Sequence, residues 1–207
     1  MKIGILGGTF NPIHIGHIYI AQEYHRRLAL EKIILIPTYI PPHKSSKDLV
    51  NAEQRLEMCR LAIEDHPHFE VCDYEIRHHN RSYTYLTLEY LRGKYTGGDF
   101  YLIMGADMFL TVQDWQNPHK IYQMATLCAA KRGESDDSQL ESQALRLESE
   151  GAHCMILDFK PLTLSSTMIR DSIKQGKDVS GLLDRKVLEY IGKNGLYGRT
   201  QGPWKMA

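Results

Sequence analysis

Residues 7–17 read GGTFNPIHIGH, set between an apolar run, Lys2-Ile3-Gly4-Ile5-Leu6, and a segment with helical spacing over 18–30. A strand therefore feeds a helix through a turn that holds two glycines, a hydroxyl, a proline and two histidines. In an α/β protein such a turn lies at the carboxyl end of a strand, where ligands bind. Further along, KIILIP (32–37) reads as a strand buried on both faces of a parallel sheet. The paired prolines of TYIPPHKSSKD (38–48) forbid helix and favour an extended path. Asn51 with Gln54 makes a capping box for a helix whose apolar side is Leu56, Cys59, Leu61 and Ile63. FEVCDYEI (69–76) alternates as a strand, Ser82 caps a helix to about 94, and DFYLIMGAD (99–107) is a buried strand ending in glycine and aspartate.

The alternation continues to the end of the chain. Asn117-Pro118 opens a helix to about 124, followed by the strand TLCAAKR (126–132). The polar stretch 133–151 carries Leu140, Ala144 and Leu147 at the spacing of a surface helix. HCMILDF (153–159) is a strand, Ser165 or Ser166 caps a helix to 175 that Gly176 terminates, and a last helix spans 184–193. Strand and helix in strict alternation, joined by right-handed crossovers, give a doubly wound parallel sheet. Residues 1–197 are expected to form one domain, with 198–207 a loose tail.

Composition narrows the partners. With 207 residues and 43% hydrophobic side chains the chain can bury one sizeable core. Its 25 basic and 25 acidic residues cancel, so bulk charge calls for neither nucleic acid nor an anionic membrane, and a small ligand fits better. Cys59, Cys72, Cys128 and Cys154 show no zinc or redox spacing and read as buried free thiols in a reducing compartment. The start lacks a signal-peptide pattern, and no apolar run approaches the ~18 residues of a membrane span. The expectation is a cytoplasmic protein, with the oligomeric state left open.

The opening turn satisfies neither the Rossmann glycine fingerprint nor the P-loop. Gly7 and Gly8 let backbone approach a ligand, free amides at the helix start can hold phosphate oxygens, and Gly16 leaves room for a flat ring. His14 and His17, three apart, project to one side of a first helical turn and could stabilise charge on a phosphoryl group in flight. A metal pair is the rival reading, although H-x-x-H has no clear third ligand nearby, so no protein-held metal is expected. Near the other end, LSSTMIR (164–170) follows a strand: Ser166 and Thr167 offer hydroxyls and amides, and Arg170, one turn on, can clamp a phosphate.

Together, GGTFNPIHIGH and LSSTMIR resemble the nucleotidyltransferase superfamily, with its Rossmann-like fold. Within it PPHK (41–44), QRLEM (54–58), SYTYLTL (82–88) and GADMFLTVQDW (105–115) are similar to the bacterial nicotinate-mononucleotide adenylyltransferase family, and the resemblance runs to KNGLYG (193–198). It implies transfer of AMP from ATP, bound with magnesium, to nicotinate mononucleotide. The products are nicotinate adenine dinucleotide and pyrophosphate, in NAD biosynthesis. The resemblance further implies that His14, His17 and Arg170 stabilise the transferring and leaving groups. Gly8, Thr9 and Phe10 would present backbone to phosphate, Ser166 and Thr167 hold the triphosphate side, and Gly105 and Asp107 face the nucleotide. Lys44, Thr84 and Trp115 would bind the acceptor, Trp115 stacking on the pyridine ring and the Thr84 amide meeting its carboxylate. Two departures stand out: Asn11 where the family usually has aspartate, and Gln116 where an aromatic is common. A superfamily member acting on another acceptor, such as phosphopantetheine, is the alternative enzyme. A nucleotide-binding sensor without turnover is the alternative of another class.

Overall fold

The computed structural model describes residues 1–40, 49–79, 82–131 and 134–198, with backbone alone for 134–137. Six strands, β1 (Lys2–Gly8), β2 (Lys32–Pro37), β3 (Phe69–Val71), β4 (Asp99–Ile103), β5 (Ala125–Ala130) and β6 (His153–Leu157), form one sheet in the order β3-β2-β1-β4-β5-β6. Every pairing is parallel. The expected doubly wound sheet is present, and the strand order reverses between β1 and β4, which makes their carboxyl ends the switch-point crevice where ligands bind in such sheets.

Helices cover both faces. Alternation along β2 sends Ile33 and Leu35 to one face and Ile34 and Ile36 to the other, all at most 2% exposed. The first face packs against α1 (Ile15–Leu28), α2 (Ala52–Ile63), α8 (Ser166–Lys174) and α9 (Arg185–Lys193). The second meets α4 (Thr84–Lys94), α5 (Ala106–Phe109), α6 (Pro118–Met124) and α7 (Glu134–Ser149), through residues such as Leu88, Phe109, Ile121 and Leu147. Leu140 and Leu147 are fully buried, so the polar segment is an amphipathic helix docked on the sheet. All four cysteines are free, three of them buried and Cys154 half-buried.

Several expectations need correction. The first helix begins at Ile15 and stops at Leu28, because His14 serves as its N-cap and Ala29 turns left-handed (φ 49°). The strand expected over 69–76 ends at Val71: the Cys72 amide makes one further bond to the Leu35 carbonyl, and Tyr74–Arg77 then forms a short helix, α3. Asp73 closes that turn by pairing with Arg77 at 2.8 Å. Ser82 does not cap α4; Tyr83 occupies that position, and the Ser82 hydroxyl instead accepts the Tyr39 amide at 3.0 Å. Asn117 stands before Pro118 as expected but in the left-handed region (φ 53°), with no side-chain cap bond. Asn51 and Ser165 cap through their side chains, accepting from Gln54 and Met168. Gly176 ends its helix at φ +67°. Lys44, most of the 38–50 segment and residues 199–207 lie outside the described residues.

Central burial fixes one glycine sterically. A Cβ on Gly4 would lie 2.5 Å from Ile33 Cδ1, 2.8 Å from Leu30 Cδ1 and 3.1 Å from Ile103 Cδ1. Gly4→Ala is expected to lower the unfolding free energy by about 1–3 kcal/mol through overpacking, despite the better strand propensity of alanine. Urea denaturation checks this, and an unchanged or raised midpoint would show that the three side-chain tips yield freely.

Candidate active site

The turn after β1 is built by taking its carbonyl groups from behind. Arg55 Nη1 donates to the Thr9 carbonyl at 2.7 Å, Arg170 Nη1 to that of Asn11 at 2.9 Å, and the Ser166 hydroxyl to that of Pro12 at 2.8 Å. In a trans peptide the following N–H points the opposite way, so tying down the Thr9 carbonyl turns the Phe10 amide away from Arg55. Phe10 itself sits in the left-handed region (φ 48°), costly for an aromatic residue. Its ring is 2% exposed, and a Cβ on Gly8 would lie 2.9 Å from it, which accounts for glycine at position 8.

The two histidines come together as expected, but by stacking. Their ring centroids are 3.7 Å apart at 29°, and the Phe10 ring meets His17 edge-on at 5.0 Å. The backbone amide of His14 donates to His17 Nδ1 at 3.2 Å. An accepting Nδ1 places the His17 proton on Nε2, which makes Nε2 a hydrogen-bond donor. His14 is 6% exposed, its Nδ1 has no partner, and burial pulls its pKa down to about 4. It is neutral at physiological pH and acts as a dipole, while His17 offers the directed donor. The room expected above Gly16 is taken by His14 itself: a Cβ there would lie 3.0 Å from His14 Nδ1.

From the other half of the chain, α8 presents its first turn to the same crevice. Ser166 is committed to the Pro12 carbonyl, and Arg170 Nη2 bonds Thr167 Oγ1 at 3.2 Å, while its buried Nε has no partner. Asn11, the departure from the family pattern, is nearly enclosed, and its Oδ1 accepts from the Tyr197 hydroxyl at 2.9 Å and the Val50 amide at 3.3 Å. A neutral amide oxygen fills both lone pairs there without adding charge beside Arg55 and Arg170.

The structure gathers His14, His17, Thr9, Phe10, Ser166, Thr167 and Arg170 around this one turn. Gly105 and Asp107 lie across the switch point, exposed at the start of α5 after β4. Trp115 is half-buried against the cluster under α4 to α6, and Thr84 begins α4. Behind Thr84 is a network that motif reading missed: Thr87 Oγ1 donates to the buried Glu75 carboxyl at 2.7 Å, with the Ser82 hydroxyl close by. Burial raises the Glu75 pKa, opposed by those hydroxyls. Arg55 was also missed, although its sequence signal was present: it shares the i, i+4, i+7 stripe of Cys59 and Ala62, an apolar face on which a charge has to be bonded.

The depressed His14 pKa has a sign that can be checked. Because the folded value (about 4) lies below the unfolded 6.5, the unfolded chain binds the extra proton first. Its contribution is complete above pH 6.5 and lost as pH falls towards 4, amounting to about 3 kcal/mol in all. His14→Gln should therefore show a shallower loss of unfolding free energy than the wild type between pH 6.5 and 4.5; parallel curves would rule out a neutral buried His14.

Known proteins resemble this chain in sequence and in fold. The cytidylyltransferase-like family matches residues 5–172. The curated probable nicotinate-nucleotide adenylyltransferase of Clostridium tetani (strain Massachusetts / E88) is 39% identical over 197 residues, 95% of this chain and 98% of that protein. That of Shewanella pealeana (strain ATCC 700345 / ANG-SQ1) is 37% identical, covering 95% and 96%. The fold is shared with Plasmodium falciparum nicotinic acid mononucleotide adenylyltransferase, solved with NaAD, at a TM-score of 0.77 and 20% identity over 96% of this chain and 98% of that one. The chain belongs to the cytidylyltransferase-like nucleotidyltransferases and, within them, to the nicotinate-nucleotide adenylyltransferase family.

Proposed function

We propose that this chain joins AMP from ATP to nicotinate mononucleotide at the turn after β1, without a covalent enzyme intermediate. The observation that carries the reading is the turn itself, with its carbonyls tied back by Arg55, Arg170 and Ser166 and two stacked imidazoles at the following helix start. A 5′-phosphate oxygen of the acceptor attacks the α-phosphorus of ATP. The new O–P bond forms as the bond to the β-phosphate oxygen breaks, and pyrophosphate departs with that electron pair. Charge grows on oxygens, so the protein has only to present donors that are already oriented.

His17 Nε2–H, the Phe10 amide and the Arg170 guanidinium are those donors, with His14 backing His17. Thr167 and the first-turn amides of α8 take the triphosphate end, and Lys44 adds a cation. Gly105 and Asp107 face the nucleotide sugars. The side chains gathered around the turn, His14, His17, Ser166, Thr167 and Arg170, are imidazole, hydroxyl and guanidinium with no carboxylate among them, a set unsuited to a hard divalent cation. Magnesium would accordingly be brought in with ATP and would supply charge neutralisation at the triphosphate, without ligands from these side chains. On the acceptor side Trp115 stacks on the electron-poor pyridine ring, a contact of about 0.5–2 kcal/mol, and the Thr84 amide at the start of α4 takes the ring carboxylate.

Pyrophosphate release with ATP and magnesium tests this, comparing nicotinate mononucleotide, nicotinamide mononucleotide and phosphopantetheine. The carboxylate acceptor is expected to win, and Trp115→Ala to lose mainly affinity for it. Preference for phosphopantetheine would transfer the chain to another acceptor. His17→Ala, folded normally, should lower kcat by ~10²-fold or more; a drop under about tenfold would remove His17 from the transition state.

A further inference from the structure

Arg55 heads the fully enclosed side chains of the described structure, at 1% exposure. It cannot touch a substrate, yet it reaches the turn after β1 and the backbone at Thr38, Tyr39 and Val50. Nη1 donates to the carbonyls of Thr9 and Thr38 (both 2.7 Å), Nη2 to that of Tyr39 (3.0 Å) and Nε to that of Val50 (3.2 Å). Burial works against the guanidinium charge, and the four carbonyl dipoles offset it.

Peptide planarity turns those bonds into directions. Where a carbonyl is pinned towards Arg55, the amide of the next residue must face away. Tyr39 shows the rule at work: the Thr38 carbonyl goes to Arg55 and the Tyr39 amide, on the other side of that plane, goes to Ser82 Oγ at 3.0 Å. The Thr9–Phe10 plane follows the same rule, with the carbonyl on Arg55 and the amide turned the other way. Ser82, in turn, stands two residues before Thr84. One planar fork with five donors thus joins the phosphate turn to the segment before Thr84, geometry that a lysine ammonium cannot reproduce.

We propose that Arg55 is a positioning residue of the transfer reaction: it aims the Phe10 amide at the phosphates and locks the acceptor-side backbone of Thr38, Tyr39 and Val50 to the same turn. The proposal rests on the reading of the turn as the phosphate site. A positioning defect falls on the transition state, where donor angles matter most, more than on ground-state binding.

The test pairs a variant with an observation on the unaltered protein. Arg55→Lys, folded by its melting curve, is expected to lower kcat by about tenfold or more while both KM values stay within about threefold. In the wild type, saturating ATP with magnesium should shift the Phe10 amide resonance and slow its exchange, and Arg55→Lys should lose most of that response. Retention of kcat within about twofold by the folded variant overturns the proposal. So does a wild-type Phe10 amide that ATP leaves unmoved, even where the enzyme turns over, and this second measurement decides if Arg55→Lys fails to fold. Absence of turnover with nicotinate mononucleotide would overturn the assigned reaction instead, leaving the amide response to judge Arg55.

Discussion

A backbone amide has a fixed direction only if the rest of its peptide plane is held, and that constraint shapes the turn after β1. β1 runs through the middle of the sheet, paired on both edges, and ends in Gly7 and Gly8 at the switch point. Beyond that point no neighbouring strand takes the carbonyls of Thr9, Asn11 and Pro12. Side chains from α2 and α8 take them instead. Unpartnered carbonyls in a buried turn would each cost about 1–3 kcal/mol, so the bonds are needed for stability as well as direction. The left-handed Phe10 adds backbone strain of order 1 kcal/mol or more, offset by burial of its ring.

The architecture was legible because it follows from periodicity. Apolar runs at 33–37 and 100–104 predicted buried strands, and the alternation with helices predicted the parallel sheet. The signals that misled were local ones. FEVCDYEI alternates well, but a strand persists only while a neighbour pairs with it, and pairing with β2 stops after Cys72. Ser82 has the chemistry of a cap, yet its hydroxyl found the Tyr39 amide, an acceptor role set by tertiary packing.

The candidate site divides in the same way. His14, His17, Ser166 and Arg170 were found through short motifs, and the structure brings both motifs to one turn. The motifs did not reveal what these groups bond to at rest: Ser166 serves a carbonyl, and the imidazoles face each other. Nor did they reveal Arg55 or Glu75, which act through neighbours. Arg55 lies within the QRLEM stretch that carries the resemblance, but the sign of its role was a charge on an apolar helical stripe. Glu75 left no such sign, since its partner Thr87 belongs to a different helix.

The bond from the Tyr197 hydroxyl to Asn11 spans 186 positions and closes the same turn from the last described residues of the chain. Arg170, also late in the sequence, holds the carbonyl of that asparagine. Of the supports of this turn, Arg55 follows it closely in the chain, whereas Arg170 and Tyr197 come 159 and 186 positions after the residue they bond. During synthesis, β1 and its glycines therefore emerge well before two of the groups that shape them, and the turn takes its full set of bonds only once α8 and Tyr197 have cleared the ribosome. The shape of the earliest loop is in this sense set by much later chain.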